Sequence, residues 1–95
     1  MINEVSISDM YLAAALISYG AKMVRVDTSN KNRQKFVFKD DVESVWIINE
    51  DIDEVERIYS PTIERIKIWF TDKTLFFPPT YPDSVRRIKS TIHGN

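Results

Sequence analysis

Hydrophobic positions along the chain change period several times, and each change predicts an element. Met10 to Ile17 is an unbroken apolar run, preceded by Ser8 and Asp9 and followed by Gly20 and Lys22. A Ser8 hydroxyl can accept from one of the unpaired amides at a helix start, and Asp9 places negative charge at the positive end of the dipole. Gly20 suits the left-handed residue that closes a helix. A helix apolar on every side must be buried, and its alanines let a neighbouring backbone approach closely.

After Gly20 the period becomes alternating. Val24 and Val26 share one face of a predicted strand, with Met23, Arg25 and Asp27 opposite. Ser29 to Asn32 is turn material. Gln34 to Asp40 alternates again, with Phe36 and Phe38 on one face and Lys35, Val37 and Lys39 on the other. The two strands read as a hairpin whose Val24, Val26, Phe36 and Phe38 stripe the helix covers.

Residues 41–60 admit two readings. One is a single long helix, since Val42, Val45, Ile52, Val55 and Tyr59 recur near helical spacing. The other is a strand over Ser44 to Ile48 and then an acidic helix from Glu50 to Tyr59, stopped by Pro61. The β-branched run Val45 to Ile48 and the break at Asn49 favour the second. Glu64 to Phe70 alternates, with Ile66, Ile68 and Phe70 inward and Arg65, Lys67 and Trp69 outward. Thr71 to Lys73 turns the chain and Thr74 to Phe77 returns as its partner strand. Pro78 to Pro82 is a stiff connection. Asp83 or Ser84 caps a last helix with Val85, Ile88 and Ile92 as its apolar stripe, Arg86, Arg87 and Lys89 outward, and Gly94 at its end. The sum is an α+β fold: one antiparallel sheet of four to five strands with an N-terminal Ala-rich helix, a middle acidic helix and a C-terminal helix.

Composition narrows the class. With 43% hydrophobic and 12% aromatic residues, the 95-residue chain reads as one packed domain, residues 1–95. The apolar run is shorter than the roughly 20 residues that span a bilayer, so no membrane partner is expected. Glu4 and Asp9 precede it where a signal peptide needs basic residues. The absence of cysteine excludes disulfides and thiol chemistry and suits a reducing cytoplasm. A net charge of -1 conceals segregation. Residues 22–39 carry six basic groups against Asp27, and residues 40–56 carry eight acidic groups and no basic one. Such blocks either pair inside the fold or steer partners.

Chemistry is sparse. The one histidine, His93, sits at the end of the predicted last helix, where it serves the helix dipole better than a nucleophile. Asp51, Asp53, Glu54 and Glu56 read as a solvated acidic face. The Asn49 to Asp53 loop lacks the glycine of a calcium loop, and no glycine-rich phosphate loop exists. The expectation is a protein that is not an enzyme and takes no cofactor and no metal.

Binding is what remains. For a protein partner the candidates are the acidic residues Glu50, Asp51, Asp53 and Glu54 and the apolar ridge of Phe76, Phe77, Pro79 and Tyr81. The alternative is a single-stranded nucleic acid on a basic sheet face with an aromatic platform: Arg25, Lys35, Lys39, Arg65, Lys67 and Trp69. The acidic block opposes that alternative.

Asp9-Met10-Tyr11-Leu12-Ala13-Ala14, followed by Gly20, Lys22 and the Phe36-Val37-Phe38 strand, resembles a family of small uncharacterised domains of phages and bacteria. Its members share a D-L-Y-L-A-A helix, a glycine and lysine after it, an F-V-F strand, and a terminal helix similar to Ile88 to His93. The resemblance covers residues 8–39 and 82–93, while residues 42–77 look like an enlargement. It implies a phage-type accessory protein, in the host cytoplasm or a virion, and brings no active site.

Overall fold

In the computed structural model, which describes residues 3–29 and 33–92, the first helix is capped by Asp9 rather than Ser8. The Asp9 carboxylate accepts from the amides of Tyr11 and Leu12 at 2.8 and 3.1 Å. A carboxylate answers the helix dipole as well as the orphan donors, so it is the better cap of the two. Helix α1 then runs from Met10 to Ser18, with Leu12 to Leu16 wholly buried. Gly20 closes it at φ +85°, with its own amide bonded to the Ile17 carbonyl and that of Ala21 bonded to Leu16, both at 2.9 Å. A side chain at Gly20 would meet nothing within 4 Å, so the backbone angle alone demands glycine.

Ahead of α1 lies a strand the hydrophobic pattern does not announce, β1 (Glu4–Ile7). It pairs antiparallel with β3 (Lys35–Lys39), which also pairs with β2 (Met23–Asp27), giving the order β1-β3-β2. Phe36 and Phe38 point into the core, as their alternation predicts. Each contributes roughly 1.5–3 kcal/mol on burial. Val24 does not join them. The register shifts between Met23 and Arg25, so Met23 and Val26 face the core and Val24 is left exposed. A bulge adds one residue and flips the alternation on one side of it.

Strand β4 (Ser44–Asn49) forms where a third strand is expected, but the acidic helix after it is replaced by β5 (Glu54–Tyr59), antiparallel to β4 from Ser44↔Tyr59 to Asn49↔Glu54. Asp53 adopts φ 52° in the turn, a conformation that stops any helix and that aspartate tolerates. The Asn49 side chain accepts from the Asp51 amide and tightens the same turn.

Residues 64–70, read above as a strand, are helical: α2 runs from Ile63 to Thr71. Ile63, Ile66 and Phe70 follow a helical spacing hidden within the alternation, and Ile68, expected inward, is 54% exposed. Two caps fix the choice. Thr62 accepts from the Arg65 amide, and Asp40, from the end of β3, accepts from the Ile63 amide at 2.8 Å. The return strand at 74–77 reduces to a short pairing with β4 at Ile47↔Leu75. Among the described residues there are thus two small antiparallel sheets, of three and two strands, instead of one of four to five.

Helix α3 (Tyr81–Ile92) starts before both expected caps. Pro82 fits its first turn, where no amide partner is needed, and Ser84 is a buried helical residue whose hydroxyl bonds the Thr80 carbonyl. Ile88 is buried, and Val85 and Ile92 pack on the core as their spacing predicts. Helices α1 and α3 lie against each other, the close approach that the alanines permit. Residues 30–32 of the expected turn, and His93 and Gly94, lie outside the described residues.

Candidate functional site

The register of β4 and β5 sorts their side chains into two faces. Val45, Ile47 and Ile58 turn toward the core. Opposite them Trp46, Ile48, Val55 and Tyr59 turn outward, with exposures of 41, 38, 45 and 66%. Arg57 pairs with Trp46 across the hairpin and lies over two rings, 5.7 Å from the centroid of Trp46 and 4.9 Å from that of Tyr59. Its Nε donates to the Ser44 hydroxyl at 3.0 Å, which fixes the guanidinium between the aromatics. Trp, Tyr and Arg are the side chains that dominate binding energy at protein interfaces in general, and here the hydrogen bond and the ring contacts hold the three together.

At the base of this face the surface continues onto the proline-rich segment. Trp46, Phe76, Pro79 and Tyr19 line an open cleft of about 340 Å³, with Glu43 at its rim. Tyr19 holds the cleft together. Its hydroxyl accepts from the Trp46 amide at 3.1 Å and donates to the Phe76 carbonyl. Burial pushes the Tyr19 phenol above its ordinary value, partly offset by the bond from the Trp46 backbone.

The protein-binding candidates read from the sequence fall into three places. Glu50, Asp51, Asp53 and Glu54 are exposed in and beside the hairpin turn, not on a helix, and Asp53 has its own backbone reason to be there. Phe76 and Pro79 join the Trp46 cleft. Phe77 and Tyr81 face elsewhere: their rings stack 4.5 Å apart, Phe70 meets Phe77 edge-on at 6.1 Å, and the three line a separate cleft. The expected ridge is therefore two surfaces. The Tyr81 hydroxyl is likewise pushed up, first by burial and then by the Asp9 carboxylate.

The nucleic-acid candidates do not form one strand face. Arg25, Lys35 and Lys39 do share the outer face of the first sheet, but Arg25 is bound to Glu4 at 2.9 Å. Asp27, between them in charge, is held below its ordinary range chiefly by hydrogen bonds from Ser29. Arg65, Lys67 and Trp69, expected outward on a strand, lie on α2. Trp69 packs against the core with Arg65 over its ring at 5.0 Å, and Lys67 shares a cleft with Asp40 and Glu64. A helix replaces the strand, so the basic face and its aromatic platform are on different elements.

Sequence reasoning missed Trp46, Arg57 and Tyr59. The signal was the alternation Val55, Arg57, Tyr59 opposite Ser44, Trp46, Ile48, visible only once 50–53 is read as a turn. No helix among the described residues is long and apolar enough to cross a membrane, and no group of three or more acidic or histidine residues there is placed to hold a metal ion.

Comparison with known families matches residues 3–68 to a domain of unknown function, DUF5659. The match extends well into residues 42–77, the stretch that looked like an enlargement, so most of it is part of the family's own pattern. No curated protein and no solved structure matches the chain.

Proposed function

The chain belongs to the DUF5659 family, and since that membership brings no activity with it, we propose from its surface that it is a non-enzymatic module that binds another protein through the outer face of the β4–β5 hairpin. The observation that carries this reading is the exposed Trp46–Arg57–Tyr59 arrangement, held together through Ser44 and continuous with the Tyr19–Phe76–Pro79 cleft. Exposed apolar residues in one contiguous patch cost solvation free energy that a partner's surface recovers. The acidic residues exposed in and beside the hairpin turn, Glu50, Asp51, Asp53 and Glu54, favour a basic protein over a polyphosphate, because like charge on the same hairpin repels phosphates. A phage-type accessory role, in a host cytoplasm or a virion, belongs to the same proposal and rests on the resemblance of residues 8–39 and 82–93.

The test is affinity capture from a bacterial lysate with three forms of the chain. A specific partner is retained by the wild type and by Arg87→Ala, and lost by the double variant Trp46→Ala/Tyr59→Ala. Retention of every partner by the double variant overturns the assignment. So does tight, steeply salt-dependent binding of single-stranded DNA or RNA in fluorescence anisotropy.

A further inference from the structure

Strand β5 is an open edge, and the hydrogen-bond pattern identifies which of its backbone groups are free. On β4 the Trp46 carbonyl accepts from the Phe76 amide at 2.9 Å, and the Ile48 amide donates to Thr74 at 2.7 Å. Those two residues therefore direct their backbone away from β5, and Val45, Ile47 and Asn49 direct theirs toward it. Their partners are Ile58, Glu56 and Glu54. The Ser60 amide, donating to Glu43 at 2.7 Å, continues the same series. It follows that Val55, Arg57 and Tyr59 point their amides and carbonyls outward, and among the described residues no backbone group pairs with them.

This edge has few of the usual protections. The β4–β5 register runs without a shift from end to end, and the strand holds no proline. No described element pairs along it. Its guard is charge: Glu54 and Glu56 on one face, next to the exposed Glu50, Asp51 and Asp53 of the turn. Charge of one sign repels strands of that sign and admits strands of the other.

We propose that β5 takes up an extended basic segment of another protein as an added strand. The inference rests on the protein-binding reading above and gives it a partner class. The two faces of β5 set the pattern of that segment: lysine or arginine at every second position opposite Glu54 and Glu56, and apolar residues between them, beside Val55 and Tyr59. A second copy of this chain fits poorly. Two β5 strands related by a two-fold axis oppose residues of the same face. The two registers that overlap most of the strand then centre on Glu56 against the other copy's Glu56, or Arg57 against its Arg57, and like charges directly opposite are destabilising.

The probe is a fluorescent peptide of alternating lysine and valine, titrated against the full chain by anisotropy. Wild type binds it. Val55→Pro removes an outward amide and no β4–β5 bond, and is expected to weaken binding by at least about tenfold. Glu54→Lys/Glu56→Lys is expected to do the same without touching the backbone. A peptide N-methylated at alternate residues is expected to lose binding to the unaltered protein. Wild type that ignores the peptide, or binds the N-methylated form equally well, overturns the proposal. So does concentration-dependent dimerisation of the chain that Val55→Pro abolishes, which assigns the edge to self-association. In the capture experiment, a partner lost on Trp46→Ala/Tyr59→Ala but kept by Val55→Pro refutes the added strand and leaves the aromatic face standing. Loss on Val55→Pro alone does the reverse.

Discussion

The two sheets are built from the same kinds of residue and finish them differently. In the three-stranded sheet one face is apolar and buried and the other is polar, with Val24 the exposed exception at the register shift. Val5, Ile7, Met23, Val26, Phe36 and Phe38 meet the core, and on the other face the Arg25–Glu4 pair bridges the two outer strands where Val37 is only 2% exposed. In the β4–β5 hairpin only the base of the inner face reaches the core, and the outer face leaves Trp46, Ile48, Val55 and Tyr59 in water. Burying the apolar side chains of a sheet yields stability. Leaving one face apolar forgoes it and yields a surface that a partner can cover. The difference divides the molecule into a scaffold and a presented element.

The largest effect expected on that division comes from the scaffold. Phe38 is fully buried at the middle strand, and Phe38→Ala should cost about 3–5 kcal/mol, read from urea denaturation. A loss below about 1 kcal/mol would break the comparison, because the scaffold sheet would then be no more committed than the hairpin.

The joint between the two regions comes next. Tyr19, at the end of α1, ties the scaffold to β4 and to the 74–76 segment through one hydroxyl. Tyr19→Phe leaves the Trp46 amide and the Phe76 carbonyl short of a partner, at an expected cost of about 1–2 kcal/mol. The same group gives a pH signature. Its folded pKa lies above the ordinary 10.0, so the folded state holds the proton that the unfolded state loses. Its contribution is complete below about pH 10 and falls as pH rises through the folded value. Urea midpoints measured at about pH 8 and about pH 11 should differ less in Tyr19→Phe than in wild type. Tyr81, raised in the same direction, supplies the part that remains.

Legibility in the sequence followed the range of the signal. Helix α1, β2 and β3 are written locally, in the Asp9 and Gly20 ends and in the Phe36-Val37-Phe38 alternation. Strand β1 escaped because Glu4 to Ile7 offers only Val5 and Ile7 as a pattern, and what makes it a strand is its distant partner β3. Between residues 50 and 70 two periods coexist. Ile66, Ile68 and Phe70 fit a strand, and Ile63, Ile66 and Phe70 fit a helix. The decision came from Thr62 and from Asp40, a cap supplied by another part of the chain. The candidate site shows the same limit. The acidic turn and Phe76–Pro79 were visible as composition, whereas the Trp46–Arg57–Tyr59 arrangement exists only through cross-strand pairing.

A smaller test sharpens how the scaffold is begun. Asp9→Ala should destabilise by about 1 kcal/mol, since two amides and the dipole lose their partner. Ser8→Ala should stay within about 0.5 kcal/mol, since Ser8 is exposed and takes no part in the cap. Thermal melts of the two variants side by side check the order. Reversed values would return the cap to Ser8.

The smallest expected change in stability carries the most information about the hairpin. Tyr59 is 66% exposed, and its ring contributes to the fold mainly through Arg57 above it. Contacts of that kind at exposed sites are worth about 0.5–1 kcal/mol, so Tyr59→Ala should lower stability by no more than that. The aliphatic pairing beneath, Val45 with Ile58, stays in place and keeps the hairpin folded. If the hairpin is the presented element, partner capture falls sharply in Tyr59→Ala while the urea midpoint scarcely moves. Should the midpoint fall as far as in Phe38→Ala, Tyr59 would belong to the scaffold. The distinction between a sheet that buries its apolar face and one that presents it would then fail at its most exposed residue.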